Sequence, residues 1–172
     1  MITRREMLAG LMMVAGLAPA SAKARLSEDG LYQLDWYLDS FLDLAEDLGA
    51  ATRDGKRFAI LWGLRNCPAC RRMHEVHLAD PATEAYIRAN FAVLHLNILG
   101  AREVTDFDGA KLSEKALAAR YGIVGTPAIQ FFPASAEGLA ARRPQEREAA
   151  RMASLPEPQA FIALFRTVHG GS

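Results

Sequence analysis

Between Leu34 and Leu48, apolar residues recur at Leu34, Trp36, Tyr37, Leu38, Phe41, Leu42, Leu44, Ala45 and Leu48, with spacings of three and four among them. Asp35, Asp39, Asp43, Glu46 and Asp47 fall between them. That period places one apolar stripe against a core and predicts an amphipathic helix over 34–48, stopped by Gly49. Thr52 to Lys56 reads as a turn around Gly55. The run Phe58–Trp62 is wholly apolar and too short for a helix before Gly63, so it predicts a buried strand. Phe91–Leu96 and Ala128–Phe132 predict two more strands. Helices are expected from Cys67 through Val76, over Thr83–Asn90, from Ser113 to a stop at Gly122, and over Pro158–Val168. Residues 97–112 and 133–144 read as loops, and Arg147–Met152 as a short edge strand. Helices and strands in this order imply an α/β fold, a central mixed sheet flanked by helices on both faces.

The first 22 residues change the picture of where this chain works. Arg4-Arg5 precedes an apolar stretch from Ala9 to Ala18, and small residues follow as far as Ala20-x-Ala22. A charged start, a short apolar run and a small-residue ending read as an export signal, and the paired arginines resemble a twin-arginine signal. The run is shorter than the roughly 20 residues that span a bilayer, so an uncleaved membrane anchor is the weaker reading. The expected organisation is a signal over 1–22, a short segment over 23–30, one domain over 31–169 and a frayed tail over 170–172. Export places the chain in the periplasm, where a disulfide persists. Twenty basic and 20 acidic residues balance. With no basic field, nucleic acid is not an expected partner, and the chain is read as a monomer.

Candidate chemistry centres on the only two cysteines, Cys67 and Cys70, in Asn66-Cys67-Pro68-Ala69-Cys70. Two thiols three residues apart at a helix start can form a reversible disulfide. Pro68 suits the first helical position, where its missing N–H costs nothing. Thiol–disulfide exchange needs a thiolate, a second thiol and open space above the first sulfur. Cys67, at the helix N-terminus, is the expected nucleophile, because unpaired N–H groups favour negative charge there. Cys70, one turn in, is the expected resolving thiol. Arg65, Arg71 and Arg72 either add positive potential or point to water. Thr126-Pro127 precedes a strand; a cis bond there would bring the Thr126 backbone beside the cysteines, with Pro127 shaping a substrate groove.

Other residues carry weaker signals. Cys70 and His74 share a helix face, and with Cys67 they form a soft-ligand set suited to copper or zinc. His77 lies off that direction, so no metal and no cofactor is expected beyond the disulfide itself. His74 reads instead as a residue packing or hydrogen-bonding beneath the disulfide. Trp62 reads as core or pocket wall, Met73 and Val76 as packing against the sheet, and His95 as a satisfied buried histidine. Asp106 and Asp108 read as an ordinary solvated loop.

Strand, CxxC on a helix, and Thr-Pro before another strand resemble the thioredoxin-like superfamily. Within it the chain resembles the periplasmic thioredoxin of bacterial sulfur-oxidation gene clusters. That narrower similarity rests on Met73-His74-Glu75-Val76, Leu96-Asn97, Glu103-Val-Thr-Asp-Phe-Asp-Gly109, Ser113-Glu-Lys115, Phe131-Phe132 and Ala150-Arg-Met152. The resemblance implies a thiol–disulfide oxidoreductase that reduces exported client proteins, among them a sulfur carrier with a reactive cysteine. It also implies electrons from a membrane thiol transporter. A disulfide oxidase or isomerase, a cytochrome-maturation reductase and a copper metallochaperone are the competing readings. Two departures stand out. Ala69 replaces the aromatic residue usual after the proline, and Leu61 occupies the place of the buried aspartate of ordinary thioredoxins.

Overall fold

A computed structural model describes residues 23–171, so the expected export signal lies outside the described residues. Strand β3 (Arg57–Gly63) is the centre of the molecule. It runs parallel to β4 (Phe91–Asn97) on one side and antiparallel to β7 (Ala128–Phe131) on the other. Strand β8 (Ala150–Met152) pairs antiparallel with β7 and completes the order β4-β3-β7-β8. The side chains of β3 divide by the period of two. Phe58, Ile60 and Trp62 enter one core with Leu44, Leu48 and Ala51 of α1 (Leu44–Arg53) and Leu117, Ala118 and Tyr121 of α4 (Glu114–Tyr121). Ala59 and Leu61 enter the other, with Ile87 of α3 (Pro81–Asn90) and Phe161, Phe165 and Val168 of α5 (Pro158–Gly170). Helices therefore cover both faces of a mixed sheet, and the unbroken apolar run Phe58–Trp62 within β3 is what burial on both faces requires.

The helix expected over 34–48 begins only at Leu44. Leu42 has φ +64, outside the helical region. Asp43 Oδ1 accepts the Ala45 and Glu46 N–H groups, so a strong N-cap opens α1 ten residues later than the apolar period suggested. Residues upstream pair with the sheet instead of coiling: Leu38 N–H donates to Val93 O of the edge strand β4 at 2.8 Å, and the Leu38 side chain packs on the first core. Further upstream, β1 (Arg25–Leu26) and β2 (Tyr32–Gln33) form a small antiparallel hairpin. Gly49 does not end the helix; α1 runs to Arg53, and Gly55 at φ +70 makes the turn into β3.

Residues 97–112 are not a plain loop. Glu103–Thr105 (β5) and Lys111–Ser113 (β6) pair antiparallel, and Thr105 N–H donates to Leu42 O. The segment expected to lack structure at 133–144 contains a 3-10 turn at Leu139–Ala141 and the start of another at Pro144–Glu146. At the end of α4, Gly122 adopts φ +66, a left-handed cap that glycine provides without a Cβ penalty.

Candidate active site

Strand β3 ends at Gly63 and delivers the chain to the cysteines through Asn66, whose φ of +57 turns it sharply. Asparagine tolerates that left-handed conformation better than most residues. Cys67 is extended (φ −89, ψ 107) and caps α2 (Pro68–Arg72), with Pro68 at the first helical position. The Cys70 N–H points at Cys67 Sγ, 3.0 Å away. The two sulfurs are joined in a disulfide across a Cα–Cα distance of 5.2 Å. Both cysteines are buried, Cys67 at 8% and Cys70 at 3% exposure, and the difference leaves the first sulfur nearer the surface.

The Thr126–Pro127 peptide bond is cis. It sets Thr126 Oγ1 3.4 Å and Thr126 O 3.6 Å from Cys67 Sγ. Neighbouring Val124 is fully exposed. An open groove of about 270 Å³ also borders Cys67, lined by Tyr32, Asn66, Cys67, Pro68 and Arg71. A carbonyl oxygen, a hydroxyl and an open groove thus converge on the same sulfur.

Residues 44–155 match the family model for a thioredoxin-like domain, about two thirds of the chain. The chain belongs to the thioredoxin-like family. Solved structures agree on the fold. A thioredoxin-fold protein from Helicobacter pylori superposes with a TM-score of 0.58 at 16% identity, over 80% of this chain and 79% of its own. A thioredoxin from Thermus thermophilus gives 0.53 at 23% identity, over 73% and 83%. The DsbH oxidoreductase gives 0.53 at 15% identity, over 94% and 95%. No curated protein sequence matches. A thioredoxin-like domain with a CxxC disulfide beside a cis-proline loop and an open groove is a thiol–disulfide oxidoreductase.

The residues around the disulfide of this thioredoxin-like domain divide sharply by partner. Arg65 turns from the site: its Nε donates to Asp29 O at 3.0 Å and Nη2 to Glu28 O at 3.3 Å, pinning the β1–β2 hairpin. Arg72 pairs with Glu157 at 3.2 Å. Arg71 lines the groove and lies 3.8 Å from Glu75, a loose exposed pair.

His74 is 2% exposed, and both its ring nitrogens are engaged. Nδ1 lies 2.8 Å from Cys70 O, and Nε2 lies 2.7 Å from the Tyr37 hydroxyl. Burial pushes its pKa down to about 4, against a smaller upward pull from the Cys70 carbonyl. Both ring nitrogens are therefore hydrogen-bonded within the protein, and Cys67 and Cys70 are bonded to each other. Among the described residues no group of three His, Cys, Asp or Glu side chains could hold a metal ion.

Three expectations need correction. Val76 is 48% exposed rather than packed on the sheet. The helix widens to a π turn at Met73–His77, with i→i+5 bonding, so Met73 and His77 take the inward positions instead. His77 Nε2 lies 2.9 Å from Pro156 O, with its ring edge-on to Phe161, away from the cysteines. His95 is 5% exposed, but it is not satisfied: neither ring nitrogen has a hydrogen-bond partner. Burial first, then His74 and Arg102, hold its pKa down to about 3. Asp106 and Asp108 are not a solvated loop. Asp106 is 1% exposed, bound by Tyr121 Oη at 2.7 Å and Arg147 Nη1 at 2.9 Å. Asp108 pairs with Arg120, and with Arg147 Nη2 at 2.9 Å.

Trp62 is core, not pocket wall. It is fully buried and donates through Nε1 to Gln130 Oε1 at 2.6 Å. Leu61, in register with His95, faces the second core, so no carboxylate stands at that β3 position. Tyr32 and Tyr37 are the site residues that sequence reasoning missed. The apolar period absorbed Tyr37 into a helix that does not form, and nothing along the chain brings Tyr32 to His74.

Proposed function

We propose that this protein is an exported, periplasmic reductase of protein disulfides, serving a sulfur-carrier client with a reactive cysteine and so supporting sulfur oxidation. A membrane thiol-electron transporter is its source of electrons. One observation carries the assignment of roles: Cys67 Sγ borders the groove and the Thr126 carbonyl, whereas Cys70 lies behind it at 3% exposure.

In the dithiol form, the Cys67 thiolate attacks one sulfur of a client disulfide. A mixed Cys67–client disulfide forms, and the client's other sulfur leaves as a thiolate. Cys70 then loses its proton and attacks Cys67 Sγ, which closes the Cys67–Cys70 disulfide and releases the second client thiolate. Two electrons pass to the client, and the membrane donor returns them. The Thr126 backbone at the cis bond offers hydrogen-bonding groups to an extended client segment beside the attacking sulfur, and Pro127 shapes the docking surface there. The signal-like 1–22 segment and the narrower family resemblance support the compartment and the client.

The midpoint potential of the Cys67–Cys70 pair, measured against defined thiol buffers, tests the direction. A value near or below about −200 mV fits a reductant, and one near about −120 mV replaces it with a disulfide oxidase or isomerase. Cys67→Ser is expected to abolish reduction of a protein disulfide, and Cys70→Ser to accumulate the mixed disulfide. Turnover retained by Cys67→Ser overturns the mechanism.

A further inference from the structure

Three arginines flank the cysteines, and one of them keeps its guanidinium available. Arg65 lies across Gly30, where an added Cβ would come within 2.9 Å of its Cγ, and its donors are taken by the Asp29 and Glu28 carbonyls. Arg72 donates to both carboxylate oxygens of Glu157. Arg71 lines the groove beside Cys67. Its ionic neighbour is Glu75, at 3.8 Å, beyond hydrogen-bonding distance, and the two side chains are 60% and 59% exposed. Among the described residues the Arg71 guanidinium makes no hydrogen bond.

The groove's other polar side chains are the Tyr32 phenol and the Asn66 amide, and among the described residues neither makes a hydrogen bond. None of the five lining residues is acidic. One full positive charge and two neutral donors, with no negative charge among them, are complementary to a carboxylate. The walls are set before anything binds. Tyr32 is stacked on the buried His74 ring at 5.5 Å and 28°, and the Arg65 bonds tie its hairpin to the segment that carries Asn66. A preformed wall lowers the ordering cost of a bound group. At about 270 Å³ the groove falls just short of the roughly 300–1,000 Å³ of small-molecule sites, which suits part of a longer ligand.

We propose that Arg71 is a specificity-determining residue: with Tyr32 and Asn66 it forms a subsite for a client carboxylate, favouring polypeptide segments with an aspartate or glutamate within two residues of the disulfide cysteine. The inference rests on the oxidoreductase reading and deepens it. Thr126 O lies 3.6 Å from Cys67 Sγ, yet Thr126 is not among the groove's lining residues. Client backbone and client carboxylate are thus taken by different surfaces at one sulfur. The ion pair with Arg71 holds the client disulfide against Cys67 in the encounter and persists in the mixed disulfide. It alters neither the bonds exchanged nor the two electrons passed. Arg71 selects the client and leaves the exchange chemistry to the two cysteines.

The test uses the full chain, reduced beforehand and freed of reductant. Peptides with one cysteine, blocked as a neutral 2-thiopyridyl disulfide, carry Glu, Gln or Lys at one of the two positions before or after it. Attack by the Cys67 thiolate on the peptide sulfur releases the thiopyridine, whose absorbance gives the second-order rate constant. Dividing each rate by that of dithiothreitol on the same peptide removes the peptide's own reactivity. At the position that meets the groove, wild type is expected to prefer Glu over Gln about fivefold, or about 1 kcal/mol at about 1.4 kcal/mol per tenfold. That preference is expected to vanish in about 1 M NaCl, where charges are screened within about 3 Å. Arg71→Gln is expected to bring the ratio to about one, and Arg71→Glu to turn the preference to Lys. Arg72→Gln removes a guanidinium already paired with Glu157 and is expected to keep the wild-type ratio. Each ratio compares two peptides on one protein, so a change in Cys67 reactivity cancels from it. A Glu/Gln ratio near one at all four positions overturns the inference, as does a preference that survives Arg71→Gln. A protein that reacts with every peptide alike keeps the oxidoreductase reading and loses the subsite; one that reacts with none loses both.

Discussion

Acidification is expected to unfold this protein through two named side chains. His74 and His95 are 2% and 5% exposed, and burial holds their pKa values down to about 4 and about 3. In the unfolded chain both return to about 6.5. Below that pH the unfolded state binds a proton on each histidine that the folded state refuses. Stability is therefore full above pH 6.5 and falls as the pH drops toward the folded-state values. Between pH 7.5 and pH 5 each histidine costs about 2 kcal/mol, since one pKa unit is about 1.4 kcal/mol and pH 5 lies about 1.5 units below 6.5. The pair therefore costs about 4 kcal/mol, a large share of the roughly 5–15 kcal/mol of a typical domain.

The assay is urea unfolding of the oxidised protein at the two pH values, for wild type and His95→Leu. The variant removes one of the two protons, so its loss on acidification is expected to halve to about 2 kcal/mol. At pH 7.5 it is expected to match or exceed wild type, because His95 gives up no hydrogen bond. Equal acid sensitivity in the two proteins would refute the reasoning.

Two other substitutions test the rest of the fold. Arg147→Met removes a guanidinium whose side chain is 2% exposed and leaves Asp106 buried with Arg120 as its remaining cation. Breaking a buried pair from one side costs about 3–5 kcal/mol, which calorimetry should read as a fall in Tm of roughly 6–20 °C. Gly122→Ala meets no atom within 4 Å but must adopt φ +66, so a loss of about 1 kcal/mol in urea unfolding is expected from backbone strain alone.

The sequence is most legible where one residue suffices to specify a conformation. Pro68 after Cys67 marks the start of α2, Ser113 marks that of α4, and Gly122 marks its end. Strand β3 is read from the five consecutive apolar residues Phe58–Trp62, because the part of a central strand buried on both faces has no polar position to confuse the period. Legibility fails where the outcome depends on distant partners. The period over 34–48 is helical in spacing, yet the Asp43 cap and the Leu38–Val93 hydrogen bond, 55 residues apart in sequence, win over it. Val76 is misplaced because a π turn shifts the helical phase, and no local residue announces that turn. Asp106 looks solvated because its cation, Arg147, arrives from 41 residues downstream. His95 looks satisfied because histidine in a strand usually is, and only the packed structure reveals nitrogens without partners.

The family match and the chemistry that distinguishes this member occupy different stretches of chain. Residues 44–155 contain the disulfide, the cis Thr126–Pro127 bond and four of the five residues that line the groove. They also contain Leu61 and Ala69, so neither a buried carboxylate at β3 nor an aromatic residue between the cysteines bears on the dithiol. The polar contact behind Cys70 comes instead from His74, and His74 takes its second hydrogen bond from Tyr37 and its stacking partner from Tyr32. Residues upstream of the matched domain therefore complete both the groove in front of Cys67 and the hydrogen-bonded layer behind Cys70.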